Sequence, residues 1–183
     1  MLYMLDTDVS SYLIKGRSPE IQTHILNVSP DEICISAITK AELLYGLKRL
    51  PDDHRLQLVV RRYLKIVTIL PWDVDAAEYY AEIRHQLVST GQPIGEMDMM
   101  IAAHAMSVGA TLVTNNLRHY QRIGALRIED WTRAEYVRSE KAIPEKPGWP
   151  FFYCQIYAAG LYRSRSAPRM FRASPVNLES IPA

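Results

Sequence analysis

Cysteine is nearly missing from the 183-residue chain: Cys34 and Cys154 are the only two. Two isolated thiols build neither a disulfide framework nor a cysteine metal cage, and they point to a reducing, cytoplasmic setting. Long hydrophobic runs are also missing, so no membrane span is expected. The opening MLYMLDTDVS carries acids where a signal peptide would carry basic residues and then an apolar stretch. There is no internal repeat. Net charge is small, +1 at neutral pH, but unevenly spread. Residues 1–131 hold 13 basic and 16 acidic side chains, whereas residues 132–183 hold 8 and 4. The first part therefore lacks the basic footprint of a simple nucleic-acid-binding module.

What is present is an ordinary globular balance, 48% hydrophobic and 22% charged. Apolar spacing predicts strands at Leu2–Leu5, Ile33–Ser36, Ile66–Leu70, Thr111–Thr114 and, shorter, Leu126–Ile128. Between them it predicts helices over Pro19–Asn27, after Ser36 with Ile38, Leu43, Leu44 and Leu47 as the stripe, and over Asp52–Lys65, Asp73–Thr90 and Glu96–Val108. Strands alternating with helices imply an α/β domain with a mostly parallel sheet flanked by helices on both faces. Six of the eleven prolines lie beyond Trp131, which places a boundary there. Residues 1–131 form the expected domain, and 132–183 an irregular, weakly ordered C-terminal extension carrying proline, arginine and aromatic residues.

Four positions carry chemistry. Asp6 follows the first strand, Glu42 opens the helix after the second, Asp98 opens the Glu96–Val108 helix, and Asn115-Asn116 follow the fourth strand. Ligands of open α/β sheets bind beyond the carboxyl ends of parallel strands, where these segments emerge. Carboxylates from separate segments suit Mg²⁺ or Mn²⁺, and crowded acids need such a cation to ionise together. The expected reaction is attack of metal-activated water on an RNA phosphodiester. Each residue also has a plain structural reading. Asp6 can end a strand in a turn, and Thr39-x-x-Glu42 matches a capping box. Asp98 can complement its helix dipole, and the Asn pair can make a turn. His104, inside AAHAMSVGA, reads as a packed helix residue. His24, His54 and His85 read as surface groups, and His119 lies near enough to the Asn pair to approach a phosphate.

At these residues the sequence resembles the PIN-domain ribonucleases, specifically the VapC toxins of type II toxin–antitoxin systems. The matching segments are MLDTD around Asp6, ISAITKAELLYG around Glu42, and IGEMDMMIAAHAMSVGATLVTNN from Asp98 to Asn116. The resemblance covers about residues 1–131. It implies a PIN-like three-layer fold and a Mg²⁺-dependent endoribonuclease, with Mn²⁺ as an alternative ion. Asp6 and Asp98 would be the metal ligands, and Glu42 and Asn116 would complete the catalytic set. It further implies transfer RNA as substrate, a VapB-type antitoxin as partner, and homodimers within toxin–antitoxin hetero-oligomers. Tyr45, Leu47 and Leu50 are candidates for the antitoxin groove. Two departures stand out. Many PIN domains carry an acid where this chain has Asn116. Relatives with the Asn pair carry a glutamate in an R-E-F segment, whereas this chain has Arg118-His119-Tyr120.

Two other readings stay open. One is a catalytically weakened PIN-like module that binds RNA or an antitoxin. The other is a haloacid-dehalogenase-like phosphatase with Asp6 as nucleophile and Asp8 as acid. In the extension, GWPFFYCQIYAAGLYR and the arginines after it suit either RNA stacking or a cover for an apolar patch, against the plainer reading of an irregular tail.

Overall fold

The computed structural model describes residues 1–133, so the extension expected at 132–183 lies almost wholly outside the described residues. The chain opens with β1 (Tyr3–Leu5), followed by α1 (Thr7–Lys15), α2 (Pro19–Asn27), β2 (Ile33–Ser36) and α3 (Ala37–Lys48). It continues through α4 (Arg55–Ile66), β3 (Thr68–Leu70), α5 (Val74–Ser89) and α6 (Glu96–Ser107). It ends with β4 (Thr111–Val113), the short α7 (Leu117–Tyr120) and β5 (Ile128–Glu129).

The five strands form one sheet in the order β3-β2-β1-β4-β5, and every pairing is parallel. Met4 lies opposite Cys34 on one side and Leu112 on the other, so β1 is the central strand. From β1 the chain builds outward to β2 and β3, then crosses back to place β4 and β5 on the opposite flank. The carboxyl ends of β1 and β4 thus border a topological switch point, where a crevice opens in such sheets.

Strand residues alternate between two cores, as the pleat requires. Leu5, Ile33, Ile35 and Val113 face the layer that contains Val9, Leu13, Leu43, Val60 and Tyr63 from α1, α3 and α4. Met4, Cys34 and Leu112 face the layer that contains Ile83 and Leu87 of α5 and Ile101 and Ala102 of α6. This is the expected three-layer architecture. Ala102, Ala103 and Ala105 are fully buried. Small side chains at these positions let α6 settle close to the sheet while it also packs on α5.

The structure adds two helices that periodicity does not predict. In α1, Val9, Leu13 and Ile14 have helical spacing and are buried. The surrounding Asp, Thr and Ser residues favour turns locally, and burial of the apolar stripe overrides them. Asp6 caps this helix, its Oδ1 accepting from Val9 N at 2.7 Å. Gly16 closes it in the left-handed region at φ 62°. The single turn α7 is too short to carry a periodic signal. The third strand begins at Thr68 rather than Ile66, because α4 keeps its helical hydrogen bonding through Ile66.

Candidate active site

Asp6 is the first residue beyond β1. Its backbone N–H still bonds to Val113 O of β4 at 3.0 Å, which fixes the residue at the carboxyl end of the central strand. The carboxylate is 4% exposed and receives hydrogen bonds from Val9 N and the Thr114 hydroxyl. Burial pushes its pKa up to about 7 against those hydrogen bonds, and the negative charges of Asp8 and Asp98 push the same way. A carboxylate so placed is short of positive charge.

Asp98 sits in the first turn of α6, after Gly95 at the N-cap. A Cβ on Gly95 would lie 3.4 Å from Asp98 Oδ2, an ordinary van der Waals contact. Oδ1 accepts from the Tyr120 hydroxyl at 3.2 Å, and Oδ2 lies 3.1 Å from His119 Nδ1. Tyr120 is buried, and the charges of Asp98, Asp6 and Glu42 add to that burial in holding its hydroxyl protonated. One phenol therefore feels the charge of all three acids.

Glu42 is not the end of a capping box. Helix α3 starts one turn earlier, with Ser36 Oγ accepting from Ile38 N, while Thr39 Oγ1 is buried without a partner. The Glu42 carboxylate instead accepts from the Thr7 hydroxyl at the start of α1. Asn116 reaches His119 Nδ1 through its amide at 2.8 Å, and its backbone N–H bonds to Thr114 Oγ1. Its φ of −91° is not left-handed, so it does not serve as a left-handed turn residue. Asn115 turns away to donate to the Tyr12 hydroxyl.

Sequence reasoning passes over Thr7, Thr114 and Tyr120, three hydroxyl groups that orient the acids. Their only signal is adjacency to Asp6, Asn115 and His119. His104 packs as expected, fully buried with Nδ1 2.8 Å from Ser36 Oγ. His24 is not a simple surface group: it stacks on Trp131 at 5.2 Å. Nor is His54, whose Nδ1 caps α4. Asp8, the acid of the phosphatase alternative, is exposed in the first turn of α1.

The donor set fits a hard divalent cation. Among the described residues no three His, Cys, Asp or Glu side chains are grouped so as to hold a metal ion by themselves. Mg²⁺ does not require such a group, since it keeps several waters and binds through one or two carboxylates. Asp6 and Asp98 would hold the ion, and its charge would relieve the repulsion between them. Beside Glu42 opens a cleft of about 400 Å³, lined by Ile14, Leu47, Leu50 and Val60 and edged by Lys15 and Arg49. Leu47 and Leu50 belong to the expected groove, whereas Tyr45 is 67% exposed and outside the lining.

A three-layer parallel α/β domain with acids at the switch point of its sheet defines the PIN class, and the PIN domain family matches residues 3–126. The chain is 40% identical over 129 residues to the tRNA(fMet)-specific endonuclease VapC of Salmonella typhimurium, covering 70% of this chain and 97% of that one. It is 36% identical over 130 residues to the protein of the same name from Shigella flexneri, covering 71% and 98%. Among solved structures it resembles DNA-bound VapBC from S. typhimurium, with TM-score 0.66 and 40% identity over 72% of this chain and 99% of that one. It also resembles VapBC2 of Rickettsia felis bound to a promoter fragment, with TM-score 0.65 and 33% identity over 72% and 99%. The chain belongs to the VapC family of PIN-domain ribonucleases. Neither the phosphatase nor the weakened-module reading is favoured by these likenesses.

Proposed function

We propose that the chain is the toxin of a type II toxin–antitoxin pair, an endoribonuclease that hydrolyses RNA phosphodiesters with Mg²⁺, or Mn²⁺ in its place. The observation that carries the reading is Asp6, whose carboxyl is held by burial well above its ordinary pKa, with the charges of Asp8 and Asp98 adding to that shift. That is a pocket short of a cation. Asp6 and Asp98 are its ligands in this reading, and Glu42 and Asn116 complete the catalytic set. A divalent ion held there would supply positive charge for the phosphate and lower the pKa of a bound water.

The chain's own groups have separable tasks. Thr114 and Val9 N fix Asp6, and the Tyr120 hydroxyl fixes Asp98. Glu42, steadied by Thr7, is the carboxylate free to orient the attacking water and take its proton. Lys15 and Arg49 at the rim of the adjoining cleft supply charge for the RNA backbone. The named activity of the relatives supports transfer RNA as the substrate class. The same cleft suits an apolar segment of a VapB-type antitoxin packed on Leu47 and Leu50, and the resemblance to VapBC complexes supports that partner. Homodimers within such hetero-oligomers and a cytoplasmic location belong to the same reading, as does residues 1–131 as the ribonuclease domain. No helix of the described residues is long and apolar enough to cross a membrane.

The test is cleavage of a transfer RNA pool by the purified chain with Mg²⁺ or Mn²⁺. Chelation, Asp6→Asn and Asp98→Asn should each abolish it. Cleavage that survives chelation and both substitutions would refute the metal mechanism.

A further inference from the structure

His119 touches the acid pocket more closely than any role so far explains. Its Nδ1 is 3.1 Å from Asp98 Oδ2 and 2.8 Å from the Asn116 amide. The oxygen and nitrogen of an asparagine amide exchange places by a half-turn of the side chain, so either can face the ring. With the oxygen inward, a carboxylate oxygen and an amide oxygen both lie against the imidazole nitrogen. All three are lone-pair donors, and packed together they repel unless a proton or a cation lies among them.

The spacing suits a cation. Adjacent ligands of an octahedral ion bonded at about 2.1 Å lie about 3.0 Å apart. The two measured separations bracket that value. The His119 side chain is 40% exposed, which leaves water access to the remaining coordination positions. Lys and Arg side chains do not compete for this spot, because the only ion pair recorded for Asp98 among the described residues is the one with His119.

We infer that His119 is a metal ligand, forming with Asp98 and Asn116 an N,O,O face that tilts the pocket from Mg²⁺ toward Mn²⁺ or another first-row transition ion. The inference rests on the metal-dependent reading of the same site. Its chemistry is direct: Mg²⁺ strongly prefers oxygen, whereas imidazole suits transition ions.

The experiment uses the purified full chain and Mn²⁺ as the probe. Binding is followed by electron paramagnetic resonance, with Mg²⁺ as competitor and ¹⁴N coupling as the structural readout. The full chain should show Mn²⁺ coupled to one imidazole nitrogen. His119→Ala should remove that coupling and weaken Mn²⁺ by about tenfold, with a smaller change for Mg²⁺. His119→Glu should abolish the coupling and shift preference toward Mg²⁺. Thermal melts of both variants confirm folding. Mn²⁺ that binds through Asp98 but shows no ¹⁴N coupling, with His119→Ala unchanged, overturns the role of His119 and leaves the metal site standing. Failure of either ion to bind, with Asp98→Asn indistinguishable from the parent chain, overturns both.

Discussion

At the scale of single residues the acids are distinguished by what holds them. Asp6 is buried with its pKa raised to about 7, whereas a carboxylate in the unfolded chain titrates near 3.8. The folded form therefore keeps its proton longer. Metal-free stability is highest below about pH 4 for this group alone and falls as pH rises through 7. Asp6→Asn removes that loss and keeps a side chain able to cap α1. In chelator, the melting temperature of Asp6→Asn should exceed that of the parent by about 3–6 °C at pH 8, with a smaller difference at pH 4. Calorimetry at the two values checks it. Mg²⁺ should restore the parent at pH 8 but leave the variant unmoved. Tyr120 offers a second test. Its hydroxyl orients Asp98, so Tyr120→Phe should lower metal affinity or cleavage by about tenfold while the fold survives. Titration of Mg²⁺ against cleavage rate reads it directly.

At the scale of elements, two junctions decide where the acids stand. Ser36 ends β2, caps α3 and meets His104 of α6, so one buried hydroxyl ties the helix bearing Glu42 to the helix bearing Asp98. Ser36→Ala should cost about 1–2 kcal/mol in urea unfolding, from the lost cap and an imidazole left with neither ring nitrogen bonded. His104 is held below its ordinary pKa by burial. Its contribution is full above pH 6.5 and is lost as pH falls below that value. The strands and long helices were legible because apolar spacing over Ile33–Ser36 or Glu96–Val108 is governed by burial. Helix α1 was not, since Asp6, Thr7, Asp8 and Ser10 read locally as a turn. The capping box that Thr39–Glu42 could have made does not form, for a related reason: it is a local sequence signature, while the actual cap, Ser36, is chosen by where β2 ends.

At the scale of the whole molecule, order along the sheet gathers what the sequence keeps apart. Asp98 acts on the charge of Asp6 in a fold whose β4 lies on the flank of β1 opposite β2. No spacing rule along the chain contains that fact; the motifs around the acids carried it, through resemblance. The hydroxyls of Thr114 and Tyr120 had no comparable motif. About 130 residues of this chain span nearly the full length of the relatives, and residues 1–131 are the proposed ribonuclease domain. Truncation after Arg133 should leave cleavage rate and melting temperature unchanged. A chain that no longer folds or cuts would assign the extension a necessary part. Trp131 must remain in any such truncation. It is 1% exposed, packed between Tyr3 and His24, and Trp131→Ala should cost about 3–5 kcal/mol by denaturant titration.

Because Asp6 starts a helix and, in the proposed reading, holds the ion, the gentlest way to disarm the protein is a one-atom change in kind, carboxylate to amide. Such a lesion spares the scaffold. Cells rescued by it would keep accumulating a harmless decoy that still soaks up inhibitor, leaving any intact copy nearby less restrained than before.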